Sequence, residues 1–414
     1  MAHEVNLKPT LSEYRWVIWH ALALLLGLAV LLAEFRFMSG ARLLSDESFH
    51  FRQISRFINL DFKMEPGLNL IPGYHALVSL VLFVFHKSGA FSARFVSVGI
   101  SALSIAVFYL LTRKIYVHPS LARTFQYTFL PILFPLFSLI YADVLALLLV
   151  LVAFYLVLLK RYSLAGFVGI LSVLARTNNI AWLAFLYVFV YYENYGLEWR
   201  NFPRSLRQTW IYWLGFGLFI IFLLMNKGIA ISDRSVQPLF KFEPGNIYFL
   251  LFLFFWLLLP MNIANFPRIL RLVRERRWII LEIMLFYLVF MFTFYNTHPL
   301  NQYYPDYYLR NKLLILVTNE PVLKSLFFIP IAYALLSLCV TALHEKRFYL
   351  LYPFTLISLV PFWLIEPRYY FVPLSLFILF KKEHSPWVEW LTVGFFIALS
   401  AVILYYMRIE TFFI

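Results

Sequence analysis

The first apolar run of the chain, VIWHALALLLGLAVLLAEFRFM (residues 17–38), decides the class of fold. At 1.5 Å per residue, 22 residues of helix reach about 33 Å, enough to cross a hydrocarbon core of about 30 Å. The run does not alternate between apolar and polar, so it reads as a helix and not as a barrel strand. Similar runs recur along all 414 residues, of which 62% are hydrophobic and 14% charged. A soluble domain is about half apolar and a quarter charged, so the bilayer is the solvent here. Within it every backbone polar group must pair internally, which makes this an all-α polytopic membrane protein.

Hydropathy places about 13 transmembrane helices, near 17–38, 93–112, 124–141, 144–159, 163–175, 179–192, 210–226, 246–260, 278–296, 325–343, 348–364, 369–380 and 387–407. No repeat or low-complexity tract divides residues 1–414, which read as one integral membrane domain. The N-terminal MAHEVNLKPTLSEYRW is polar and has no small-residue cleavage site, so the first run is expected to be a retained span. The single cysteine, Cys339, rules out an intrachain disulfide and leaves the compartment open. A net charge of +14 fits nucleic-acid binding less well than the Lys and Arg excess of cytoplasmic loops.

The apolar segment 72–86 sets the topology. If it lies in the interface as an amphipathic helix, 19 of the 35 Lys and Arg residues share the face of the N-terminus, mostly in short loops. That is the expected cytoplasmic bias. The same assignment puts all five Asp residues (46, 61, 143, 233 and 306) on the opposite face, where the longest loops are 39–92, 227–245 and 297–324. Loops on a rigid scaffold commonly carry chemistry.

The loop after the first span contains SDESFHFRQ (45–53). Ser45, Asp46 and Glu47 suit an N-capped interfacial helix, whose dipole favours acids in its first turn. They equally suit a general base at the membrane surface. EPGLNLIPGYH (65–75) carries two Pro-Gly turn signals and forms either a plain loop or a pocket wall. ARTNNIAW (175–182) and IEPRYYFVP (365–373) place Arg176 and Arg368 at span ends, where snorkelling competes with function. NKGIAISDRS (226–235) supplies Asp233 and Arg234, and HPLNQYYPDYY (298–308) is an aromatic loop bearing His298. No HExxH, DxD, Cys cluster, Walker A or GxGxxG occurs, so no metal or cofactor is expected. Asp46 and Glu47, adjacent on a helix, diverge by about 100° and do not chelate together.

In this order the stretches resemble one family, the eukaryotic dolichyl-phosphate-glucose α-1,2-glucosyltransferases of the GT-C superfamily. The family's Asp-Glu-x-Phe-His is similar to Asp46–His50, its Pro-Gly-Leu to Pro66–Leu68, and its Arg-x-Thr-Asn-x-x-Trp resembles Ala175–Trp182, with the spacing shifted by one before Trp182. Its Gly-Ile-x-Ile-x-Asp-Arg-Ser matches Gly228–Ser235, and its Glu-x-Arg-Tyr-x-x-x-Pro matches Glu366–Pro373. One block departs: the family's Asp-Asn-Arg-His-Tyr is at best Asn301-Gln302-Tyr303-Tyr304.

The resemblance implies a GT-C fold, with interfacial helices in a first lumenal loop at 39–92. It implies transfer of glucose from dolichyl-phosphate-glucose to a lipid-linked oligosaccharide, forming the terminal α-1,2-glucose of the N-glycan precursor. The site would face the lumen of the endoplasmic reticulum. A phosphate leaving group needs cations and not a protonating acid, unlike glycoside hydrolysis. A β-linked donor and α-linked product would mean inversion by single displacement. The carry-over assigns Asp46 as base with Glu47 in reserve, and Arg368, Arg176 and Arg234 to the donor phosphate. It gives His50, Thr177, Asn178, Asp233, His298, Asn301 and Glu366 to sugar and acceptor. Transfer of another polyprenyl-phosphate sugar such as mannose is the alternative within enzymes. A lipid or solute transporter is the rival class, though it would place ionisable residues at the midplane.

Overall fold

The computed structural model describes residues 11–117, 120–196, 198–229, 231 and 241–414, and is helical apart from two isolated β-bridges, Tyr308–Phe413 and Leu343–Lys381. Among the described residues five helices are long and apolar enough to cross a membrane: Ile18–Met38, Ala90–Ile115, Trp199–Asn226, Pro321–Val340 and Pro386–Arg408. A bent pair, Gly245–Leu257 with Leu259–Glu275, makes up to six, and five shorter apolar helices accompany them.

The centre of the molecule is the helix Ala142–Leu158, packed between Ala90–Ile115 and Tyr162–Ala175. It is apolar all round because neighbours cover every face. Two features of the sequence expectation change in the structure. The run expected as a span at 124–141 breaks into a short helix, Leu121–Thr128, and a fully buried irregular stretch with a 3₁₀ turn at Phe134–Leu136. Pro131 and Pro135 account for the break, since each lacks an amide hydrogen and clashes with the preceding turn. Hydropathy there marks a buried path from Arg123, beside Lys381, to Ile140, beside Glu47, and not a continuous helix. The second change is the bend of 97° at Leu258. Pro260 cannot continue the preceding helix. The Asn262 amide then donates to the carbonyls of Phe254 and Phe255 at the end of that helix, at 3.3 and 2.8 Å. As a result, most of the basic stretch 268–277 is helix, inside Leu259–Glu275, where a loop was expected.

The first loop carries two 12-residue helices, Glu47–Ile58 and Gly73–Val84. Each is about 18 Å long, too short to cross the bilayer core. Gly73 lets the second helix approach closely, because a Cβ there would lie 2.7 Å from the Leu174 carbonyl oxygen. At the same end converge the turn at 176–179, the start of Gly245–Leu257, the stretch 294–308 and the stretch 361–368.

Candidate active site

Glu47, not Asp46, is the anchor of the first loop. Its side chain is fully buried and both oxygens are filled. Oε1 accepts from Arg94 Nε at 3.0 Å and from Ile140 N at 2.9 Å. Oε2 accepts from Arg94 Nη2 at 2.7 Å and from Leu44 N at 2.8 Å. Arg94 spends its other hydrogens on the Met38, Ala41 and Arg42 carbonyls, at 2.8 to 3.0 Å. All five guanidinium donors are therefore used, and the loop leaving the first span is clamped.

That clamp presents Asp46. Ser45 before it has φ +51°, a left-handed conformation that costs a non-glycine residue about 1–2 kcal/mol. Two tyrosines hold it there. The Tyr308 hydroxyl bonds Ser45 Oγ at 2.8 Å, and the Tyr141 hydroxyl accepts from Asp46 N at 3.1 Å and donates to Leu44 O at 3.1 Å. Asp46 caps Glu47–Ile58 without a side-chain bond, leaving its carboxylate 44% exposed and turned to Arg368, whose Nη2 lies 2.9 Å from Oδ2.

Arg368 is also paired with Glu366 at 3.1 Å, and Glu366 is paired in turn with Arg310. The short turn Pro367–Tyr370 supplies Arg368, and Leu309–Asn319 supplies Arg310 from its first turn. Burial alone would raise the Glu366 carboxyl, but Arg310 and Arg368 outweigh it and hold the group below the usual carboxylate range. The Arg368 guanidinium lies over the Tyr141 ring at 5.2 Å, which fixes its plane. Asn246 steadies the turn. It donates to Phe362 O and Leu364 O at 2.9 Å and accepts from Glu366 N at 3.2 Å.

The remaining sequence-expected residues divide into three sets. Arg176 is paired with Asp143 and lies 5.1 Å from the Tyr369 ring, beside the cluster. Thr177 and Asn178 sit on the adjoining turn, and the buried Asn178 Oδ1 has no hydrogen-bond partner among the described residues. His50 stacks on His75, with Nδ1 and Nε2 2.8 Å apart. Burial, with Arg368 and Arg176 nearby, pushes the His50 imidazole down to about 3, so it is neutral at physiological pH. Asn301 and His298 are framework in this arrangement. Asn301 grips both backbone polar groups of Ile365 at 3.0 Å, and His298 Nδ1 accepts from Leu300 N while its ring abuts Trp363. Asp233 and Arg234 lie outside the described residues.

Sequence reasoning missed Arg94, Asp143, Tyr141, Asn246, Tyr308 and Arg310. Arg94 had a signal, since it is an ionisable residue inside a predicted span. Arg310 follows an aromatic loop that had been noted. The other four depended on tertiary contacts. No group of three or more His, Cys, Asp or Glu able to hold a metal occurs among the described residues. What the cluster offers is one accessible carboxylate beside planar cations, suited to proton abstraction next to a phosphate.

Comparison with known proteins gives a family and no solved relative. A model described as the DIE2/ALG10 family matches residues 41–201 and 191–379. Two human proteins and one from Candida albicans, each named Dol-P-Glc:Glc(2)Man(9)GlcNAc(2)-PP-Dol alpha-1,2-glucosyltransferase, are 24% identical to the chain. The human alignments cover 63% and 79% of this chain and 68% and 81% of the relatives; the Candida albicans alignment covers 63% and 62%. No solved structure matches.

Proposed function

The chain belongs to the DIE2/ALG10 family, and on that premise we propose that it transfers glucose from dolichyl-phosphate-glucose to a diglucosylated lipid-linked oligosaccharide, as its relatives' names describe. The observation that carries the mechanism is the half-exposed Asp46 carboxylate held on Arg368, with Arg368 tied to the buried Glu366 and Arg310. Asp46 takes the proton of the acceptor hydroxyl as that oxygen forms its bond to the glucose anomeric carbon. The bond from that carbon to the phosphate oxygen breaks, and both its electrons leave with dolichyl phosphate. A single displacement of this kind inverts the anomeric centre. The leaving phosphate gains a negative charge, which Arg368 and Arg176 neutralise, Arg368 as a planar fork.

The resting ion pair gives Arg368 a second task. A donor phosphate competes with Asp46 for the guanidinium, so donor binding frees the carboxylate to act as base. Glu47 takes no proton in this scheme, because its four contacts leave no room for a substrate hydroxyl. Asn178 Oδ1, buried and without a partner among the described residues, suits a donor sugar hydroxyl. Asp233 and Arg234 remain candidates for sugar and phosphate on the sequence match alone. The site would open to the endoplasmic reticulum lumen, opposite the basic loops.

The experiment is a donor comparison with purified protein. The acceptor is Glc(2)Man(9)GlcNAc(2)-PP-Dol, and dolichyl-phosphate-glucose is set against dolichyl-phosphate-mannose. Glucose transfer sensitive to α-1,2 linkage analysis is expected. Transfer from the mannosyl donor alone would keep the chemistry and sink the sugar.

A further inference from the structure

At the end of the molecule away from Asp46, three helices frame a cleft of about 740 Å³. Trp278–Thr293 has one buried residue, Phe290. It leans on Pro321–Val340 near the site end, through Phe286 and Phe290 against Phe328 and through the Tyr287–Ser325 hydrogen bond of 2.8 Å. Toward its start the two helices part, and the cleft lies in that wedge, closed on the third side by the end of Leu259–Glu275.

The wedge has two levels. Its floor is apolar, formed by residues such as Ile283, Phe286 and Leu335. Its mouth carries Arg274, Arg276 and Arg277 with Glu275 and Glu282. Among the described residues none of these five makes an ion pair. Three guanidiniums and two carboxylates share one cleft without satisfying one another, with one positive charge in excess. A topology signal needs only the positive charges; it explains neither the carboxylates nor the cavity. The 16-residue helix Trp278–Thr293 is about 24 Å long, short of the bilayer core. Trp278 at its start is exposed, the residue type enriched at membrane–water interfaces.

We propose that this cleft seats an anionic aminophospholipid, of the phosphatidylserine type. The acyl chains run down the apolar floor. The head group's phosphate and carboxylate meet the three arginines, and its ammonium meets Glu275 and Glu282. The net charge of that head group, minus one, matches the excess of the mouth. Anionic lipid recognition by a basic pocket between helices follows the same electrostatics as at other membrane surfaces.

The test uses the full-length purified protein in mixed micelles with equimolar palmitoyl-oleoyl phosphatidylserine, phosphatidylglycerol and phosphatidylcholine. Lipid retention is read by native mass spectrometry. The serine lipid should be retained about tenfold over the choline lipid, a difference of about 1.4 kcal/mol, and severalfold over the glycerol lipid. R274Q/R276Q/R277Q should bring serine-lipid retention to the choline level. E275Q/E282Q should abolish the preference over the glycerol lipid and keep the preference over choline. Monodisperse gel filtration establishes that each variant is folded. Equal retention of all three lipids by the unaltered protein overturns the proposal, as does unchanged serine-lipid retention in the arginine variant. Equal retention of serine and glycerol lipids overturns the aminophospholipid assignment.

Discussion

Replacing Arg94 with leucine should undo the loop that presents Asp46. The substitution leaves Glu47 as a buried carboxylate with only the Leu44 and Ile140 amides as donors. Breaking a buried pair by removing one partner costs about 3–5 kcal/mol. The Met38, Ala41 and Arg42 carbonyls also lose a donor. Even if water reaches two of them, the third adds about 1 kcal/mol. A loss of about 4–6 kcal/mol rivals the whole stability of many domains, so the loop should open or the protein unfold. Two further variants separate charge from geometry. Arg94→Lys keeps the charge but not the five-donor fork, and should lose most of the clamp. Glu47→Gln combined with Arg94→Leu removes the stranded charge and should recover about 1–3 kcal/mol relative to Arg94→Leu alone. Denaturant titration in detergent, followed by tryptophan fluorescence, measures the stabilities, and glucosyl transfer measures whether Asp46 is still presented. An Arg94→Leu protein within about 1 kcal/mol of the original and fully active would refute the reasoning.

Other consequences are more local. Gly73→Ala places a methyl against the Leu174 carbonyl oxygen, 2.7 Å from an ideal Cβ; thermal unfolding should show a loss of about 1–3 kcal/mol. Arg368→Lys keeps a cation but loses the fork, and should raise the donor KM or lower kcat by roughly tenfold or more, the loss of one charge-assisted bond. The His50 imidazole has a folded pKa of about 3 against a usual 6.5. The folded state thus disfavours its proton, so stability is complete above about 6.5 and falls as pH drops toward 3. By pH 5.5 the loss should be about 1.4 kcal/mol, and His50→Asn should flatten that slope in pH-dependent unfolding.

The sequence carried the solvent of the fold and the address of the candidate site for one reason: lipid forbids unpaired backbone, so apolar runs must be helices and polar chemistry must gather at their ends. Asp46, Arg368, Glu366 and Arg176 lie together at such ends. Hydropathy could not separate a continuous helix from a buried broken one, which is why 124–141 reads as one helix and is a proline-broken core segment. Nor could adjacency distinguish Asp46 from Glu47. The two differ by a turn of about 100° on a helix, and only Arg94, far along the chain, decides which one is sequestered. Arg310 escaped notice because its partner, Glu366, is 56 residues away.

The most direct test of the account is single-turnover glucose transfer from dolichyl-phosphate-glucose, comparing the unaltered protein with Asp46→Asn. The account predicts a fall in rate of about 10²–10⁴-fold, with donor binding retained and the acceptor still bound. Transfer by Asp46→Asn at the original rate would contradict it, and would move the base to another carboxylate of the same face.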